Sequence, residues 1–377
     1  MMLPNQRHLF EIPDEISYLN CAYMSPQLRA VSDAGVQAMA QKARPWSITS
    51  ADFFDETERL RVLFAELVGG RADSVAIVPS VSYGIGVAAA NVTVAAGQRI
   101  LVLEDQFPSN VYPWMELAST RGAKLVTVPR PVDHDWTSAL LECIDANTAV
   151  VAVPNCHWTD GTIVDLASIG TRARELGAAL VVDATQSLGA MPLDVAGTQP
   201  DFLVAASYKW LLGPYSLGFL YANKRWHSGR PLEHNWIVRA GSENFGGLVN
   251  YTSDFQPGAR RYDVGERSNF ALLPMARVAL RQILDWKVEN IAETIGRLTA
   301  LIESYADEAG HSVASSDNRA AHLVGLRLAN GVSKDLAARL AAQNIYVSSR
   351  GDSLRIAPHL YNTEADLARL FEALDKS

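Results

Sequence analysis

Between Ser74 and Tyr221 the chain repeats one pattern: a short, mostly apolar run, a turn, then a stretch with helical apolar spacing. The runs Val75–Val78, Ile100–Leu103, Leu125–Val128, Ala149–Val153, Ala179–Val182, Phe202–Ala205 and Leu217–Tyr221 predict seven strands. Helical stretches such as Gly84–Val94, Asn110–Arg121 and Asp165–Leu176 fall between the earlier ones. Hydrophobicity in the runs is continuous rather than alternating, so both faces of each strand have to be covered. That predicts an α/β fold built on a mostly parallel sheet. In such a sheet ligands gather at the carboxyl ends of the strands.

Around this block the pattern changes. Residues 1–25 read as irregular, with prolines at 4, 13 and 26, and helices are predicted over 26–42 and 52–69, the second closed by Gly69-Gly70. Residues 222–274 read mostly as loop, followed by one long helix from Pro274 to about Ala309. Strands at Leu323–Leu328, Ile345–Ser348 and Leu354–Ala357 alternate with helices over 333–343 and 363–375, with Thr363 and Asp366 as a cap pair for the last. The expected division is a large α/β domain over 16–260 and a smaller α+β domain over 261–377 joined by residues 1–15, which suits a chain of 377 residues. A net charge of -8 argues against nucleic acid or an anionic membrane surface as partner. Cys21, Cys143 and Cys156 form no CxxC pair, so neither a disulfide framework nor a metal site is suggested. With no apolar leader and no run of 18 apolar residues, a cytoplasmic enzyme is expected.

One stretch inside the sheet region carries the chemistry. The run Phe202–Ala205 ends in Ser207-Tyr208-Lys209, and Gly213, Pro214 and Gly218 turn the chain back into the next strand. Lys209 therefore sits at a strand's exit among apolar neighbours, where desolvation lowers an amine's pKa and leaves it free to attack a carbonyl. Leu180-Val-Val-Asp183-Ala-Thr-Gln186 ends the preceding strand with a carboxylate and an amide. After Val75–Val78 the chain reads Gly84-Ile-Gly86-Val-Ala-Ala89, a dinucleotide-like spacing, but Pro79 to Tyr83 occupy the turn and the glycines fall inside the helix. The turn still offers free N–H groups and the hydroxyls of Ser80 and Ser82, a cup for a single phosphate. An acid, a Schiff-base lysine and a phosphate cup are what pyridoxal phosphate requires, the acid keeping the ring protonated as an electron sink.

The D-A-x-Q and S-Y-K-W-x-x-G-P segments, with matches from Tyr18-Leu-Asn20 to Arg355-Ile-Ala-Pro-His-Leu-Tyr-Asn362, resemble the class V aminotransferases. These are fold-type I pyridoxal-phosphate enzymes, a group that includes cysteine desulfurases, kynureninase and isopenicillin N epimerase-like proteins. The resemblance implies Lys209 as the Schiff-base lysine, Asp183 as the partner of the pyridine nitrogen and Gln186 as the amide on the phenolic oxygen. Val81, through its backbone, and Ser82 would form the phosphate cup with Ser207 and Tyr208; Phe107 would stack on the ring, with Asn155 nearby. Arg355 would clamp the substrate α-carboxylate, with Asn20 and His157 also on the substrate side. The family's cross-dimer threonine has no counterpart in Asp263-Val-Gly265-Glu-Arg-Ser-Asn269, where Ser268 or Arg267 would substitute. No cysteine follows Cys156, and the loop that carries the desulfurase thiol reads Val347-Ser-Ser-Arg350-Gly351, so that thiol is missing.

The bland alternatives are packing roles for Phe107, His157 and Trp158, and a simple cap for Asp183. The expected protein is a homodimer with its active sites at the interface, acting on the Cα of an amino acid. Transamination comes first on family grounds, followed by elimination at a C–S bond, kynureninase-like hydrolysis and epimerisation.

Overall fold

The computed structural model describes residues 1–376. In the first half of the chain lie β1 (Ser17–Tyr18), α1 (Arg29–Lys42), α2 (Asp55–Val68), β2 (Val75–Val78), α3 (Val81–Asn91), β3 (Arg99–Leu103), α4 (Tyr112–Arg121), β4 (Lys124–Val128), α5 (Trp136–Cys143), β5 (Thr148–Pro154), α6 (Leu166–Glu175) and β6 (Ala179–Asp183). Then follow α7 (Val195–Thr198), β7 (Phe202–Ala206), β8 (Gly218–Ala222), α8 (Leu272–Trp286), α9 (Val288–Glu308), β9 (Val324–Leu326), α10 (Leu336–Ala341), β10 (Ile345–Tyr346), β11 (Ser348–Arg350), β12 (Ser353–Ile356) and α11 (Glu364–Asp375).

The seven apolar runs form one sheet in the order β2-β8-β7-β6-β5-β3-β4, parallel except for β8, which is antiparallel to both neighbours. Alternate residues of each strand feed two separate cores. Ile77, Leu101, Val151, Val182 and Leu203 face one, while Ala76, Val102, Ala152, Val181 and Val204 face the other. That is why the runs are continuously apolar: each fully buried Val, Leu or Ile contributes about 1.5–3 kcal/mol on either side. Gly84 explains the dinucleotide-like spacing. It lies within α3, and a Cβ there would meet Val204 Cγ1 at 2.7 Å, so the glycine lets the helix pack against β7.

β9, β11 and β12 form a second, antiparallel sheet. The strand expected over Ile345–Ser348 is divided: Ile345–Tyr346 pair in parallel with Ser17–Tyr18, and Ser348–Arg350 pair with β12. The N-terminal segment is thus laid along the C-terminal region, and Asn20 bridges to Ala357. The single helix expected from Pro274 to Ala309 is two helices, broken at Lys287, which has φ +66°. The break lets α8 lie on the large sheet's core while α9 leaves that core, which holds Ile291 and Ile295, and enters the small sheet's core with Ile302 and Ala306. The Thr363 and Asp366 capping box is present. Among the described residues no helix is long and apolar enough to cross a membrane.

Candidate active site

The parallel strands β6 and β7 pair Asp183 with Val204, so Asp183 closes β6 beside the strand whose exit carries Lys209. Ala206 pairs with Gly218 in the antiparallel β8, which folds the Lys209 turn back over the sheet's carboxyl edge. There Lys209 and Asp183 line one cavity of about 280 Å³, together with Gln186, Phe107, Tyr208 and the start of α3.

Each wall of the cavity has a physical cause. Ser80 caps α3, its Oγ accepting from the Tyr83 N–H at 3.2 Å and lying 2.9 Å from Ser82 Oγ. The N–H groups of Val81 and Ser82, in the helix's first turn, have no intrahelical partner and face the cavity end of α3 as free donors. Lys209 Nζ lies 5.3 Å from the centre of the Phe107 ring and 5.5 Å from that of Tyr208. Burial, reinforced by Arg355 and Arg350 and opposed by Asp183, pushes the Lys209 amine down to about 8. Burial likewise pushes the Asp183 carboxyl up, although it accepts the Thr185 N–H at 3.0 Å. Lys209 opposes that shift from across the cavity but makes no direct ion pair, and a protonated ring nitrogen is the kind of group that would restore the charge.

Gln186 is held from three sides. Its Nε2 donates to the Ala22 carbonyl at 3.0 Å, its Oε1 accepts from Trp210 Nε1 at 3.0 Å, and its backbone carbonyl faces His322 Nε2 at 2.6 Å. Arg355, 1 % exposed, donates from Nη1 to the Trp158 carbonyl at 2.9 Å, while its Nε and Nη2 are buried without a partner. Burial and the neighbouring Arg350 push its guanidinium down to about 9. These unpartnered donors fit an acid ligand.

Arg355 itself stands behind the cavity wall, joined to it through Trp158, and the remaining expected site residues also lie off that wall. Asn155 accepts from Ser187 Oγ, and Ser207 Oγ donates to the Pro214 carbonyl at 3.1 Å, stabilising the turn that presents Lys209. Asn20 accepts from Ser348 Oγ at 2.9 Å. His157 is fully buried, stacked on Trp136, with its ring nitrogens facing Thr159 Oγ1 at 2.7 Å and the Glu104 carbonyl at 3.1 Å. Ser268 Oγ donates to the Phe53 carbonyl at 2.6 Å and lines a different cavity, beside Trp236 and Phe270. Arg267 is buried against Asp263. Trp158, for which the sequence allowed contact or packing, lines the cavity and meets Phe107 edge to face at 5.4 Å. Arg350, which the sequence marked only as part of a loop without a thiol, stacks on Trp158, its Cζ 5.4 Å from the ring centre. The signal available for it was its strand parity with Arg355.

A mostly parallel sheet with a lysine, an acid and a helix N-terminus gathered at its carboxyl edge is the arrangement of a fold-type I pyridoxal-phosphate enzyme. The model of the class V aminotransferase family matches residues 18–370, and the chain belongs to that family, with pyridoxal 5′-phosphate as its cofactor. It is 26% identical over 357 residues to the "Uncharacterized aminotransferase YcbU" of Bacillus subtilis, covering 94% of this chain and 91% of that one. It is 24% identical over 334 residues to isopenicillin N epimerase of Streptomyces clavuligerus, covering 84% and 83%. The solved structure of an apo cysteine desulfurase from Thermococcus onnurineus NA1 superposes with a TM-score of 0.87 at 18% identity, covering 100% of this chain and 99% of that chain.

Proposed function

We propose that this chain is an aminotransferase whose substrate is an α-amino acid. The observation that carries the substrate class is Arg355, a buried guanidinium with two unpartnered nitrogens. We assign it the α-carboxylate, because two parallel N–H···O bonds orient as well as bind.

In this reading the start of α3 would hold the cofactor's phosphate, Asp183 its ring nitrogen and Gln186 its phenolic oxygen, with Phe107 against the ring. The bound cofactor supplies an electron sink for charge developing at the substrate's Cα. Lys209 anchors it and, as an amine near neutral pKa, takes and returns the Cα proton at Nζ. Arg355 fixes the acid end so that the bond to be broken is oriented once, and the apolar walls at Phe107 and Trp158 exclude water.

A desulfurase-type thiol mechanism is disfavoured by the cysteines themselves. Cys21 and Cys156 are buried, and burial pushes both thiols well above the ordinary range, away from the thiolate that would act as nucleophile. Elimination at a C–S bond without a protein thiol is the second reading, and the missing thiol in 347–351 is compatible with it. The discriminating experiment is a half-reaction in which the loaded protein meets one amino acid at a time. A transaminase converts its cofactor to the amine form and releases a 2-oxo acid. A lyase releases ammonia or sulfide and returns the starting spectrum, which would overturn the proposal.

The homodimer expected from the resemblance and the cytoplasmic location expected from composition belong to the same proposal. Exposed Val36, Met39, Trp46 and Tyr251 are apolar surface that a second copy would cover. Light scattering giving the mass of a single chain would remove the dimer.

A further inference from the structure

Buried arginines elsewhere in this chain are ion-paired: Arg61 with Asp263 and Glu58, Arg267 with Asp263, and Arg319 with Glu303. Near the cavity, the buried Arg355 and the half-buried Arg350 are not. Arg355 donates only to the Trp158 carbonyl, and Arg350 donates from Nη1 only to the Ser349 carbonyl at 2.7 Å, with its Nε buried and unpartnered. Among the described residues neither has a carboxylate within ion-pair distance.

The sheet puts the two on one face. In the β11–β12 hairpin Ser348 stands opposite Arg355, and Arg350 stands opposite Ser353. Arg350 is two residues beyond Ser348, so it shares the face of Arg355 as its diagonal neighbour, with backbones about 7–8 Å apart. Trp158 ties both to the cavity: its carbonyl receives Arg355, its ring carries Arg350, and the same ring lines the cavity against Phe107. Both guanidinium charges reach Lys209, and Asp183 is the acid opposing them there. One α-carboxylate answers one guanidinium. The second is left over.

We propose that Arg350 recognises a second acid group, so that the substrate is an α-amino acid with an acidic side chain, carboxylate being the simplest case. The proposal rests on Arg355 holding the α-carboxylate. Arg350 is therefore a specificity-determining residue, and its stacking on Trp158 fixes the plane of the guanidinium fork toward the distal acid.

Two unreactive ligands of equal chain length separate the contributions: glutarate, with two acid groups, and valerate, with one. Calorimetric titration of the cofactor-loaded protein should give glutarate at least about tenfold tighter than valerate, as a charge-assisted hydrogen-bonded pair supplies. Arg350→Met should bring the ratio close to one, and Arg350→Lys, which keeps the charge but not the fork, should leave it between. A ratio near one in the unaltered protein, no binding of either ligand, a ratio untouched by Arg350→Met, or an equal loss for both ligands in that variant would each overturn the assignment. Neither ligand carries an amino group, so the ratio is read without turnover. If no amino acid supports a half-reaction while the Arg350-dependent ratio persists, the aminotransferase reading falls and the acid site stands. Valerate binding that survives Arg355→Met would instead remove the α-carboxylate assignment on which both are built.

Discussion

Replacing Arg355 by methionine should move stability and activity in opposite directions. The guanidinium is 1 % exposed, has one hydrogen bond to a carbonyl and leaves two nitrogens unpaired. Burial pushes its pKa well down, to about 9. An unfolded chain therefore binds more protons than the folded one above that value, and stability rises with pH there. At neutral pH the cost is fully present, on the order of a few kcal/mol. Removing the charge and filling its volume with an apolar side chain relieves that cost, as replacement of buried ionic groups often does. With an unfolding entropy of about 2.1 cal/mol/K per residue, a gain of about 3 kcal/mol raises Tm by roughly 4 °C for a chain of this size. Loss of two charge-assisted bonds to the α-carboxylate removes about 3–4 kcal/mol of transition-state binding, roughly two to three powers of ten in kcat/KM. The assay is thermal melting of the loaded protein at pH 7 with and without valerate, alongside half-reaction kinetics. Valerate should raise the Tm of the unaltered protein and not that of the variant. A variant that melts several degrees lower and turns over within a few-fold of the original would refute the reasoning.

The Lys209 amine, held at about 8 by burial, is about one tenth unprotonated at pH 7, where an ordinary lysine is roughly one part in three thousand free. Capture of pyridoxal phosphate by cofactor-free protein should therefore quicken about tenfold per pH unit below that value and level off above it. Stopped-flow rates that climb steadily to pH 10 would contradict the depressed amine. At the break between α8 and α9, Lys287 holds φ +66° and ψ 128°, which glycine adopts freely. Lys287→Gly should raise stability by about 0.5–1 kcal/mol, seen as a higher denaturant midpoint with an unchanged slope; a lower midpoint would show that the lysine side chain outweighs the strain.

Most of the scaffold was legible because it follows from local rules. Seven continuously apolar runs became the seven strands, since a strand covered on both faces has no polar side to show. The glycines at 84 and 86 fell inside α3 as their distance from the strand required, and the capping box at Thr363 formed as read. Lys209 and Asp183 reached one cavity because parallel neighbours deliver their carboxyl ends to the same edge. Where the reading ran long, at Ile345–Ser348 and Pro274–Ala309, each segment serves two partners: one pairs with both the N-terminal strand and β12, the other spans two cores. Local apolar spacing carries no mark of such a change of partner.

Residue order alone therefore determined the layered architecture, the carboxyl-edge location of the site and the lysine and acid on its floor, because strand parity and turn chemistry act over a few neighbours. Only the folded chain decided which polar groups are left without partners. His157 and Asn20 are satisfied by their surroundings, whereas Arg355 and Arg350 are not. Hydrogen-bond satisfaction depends on residues hundreds of positions apart, such as Asn20 and Ser348, and the balance of buried charge around the cavity exists only once those segments have met.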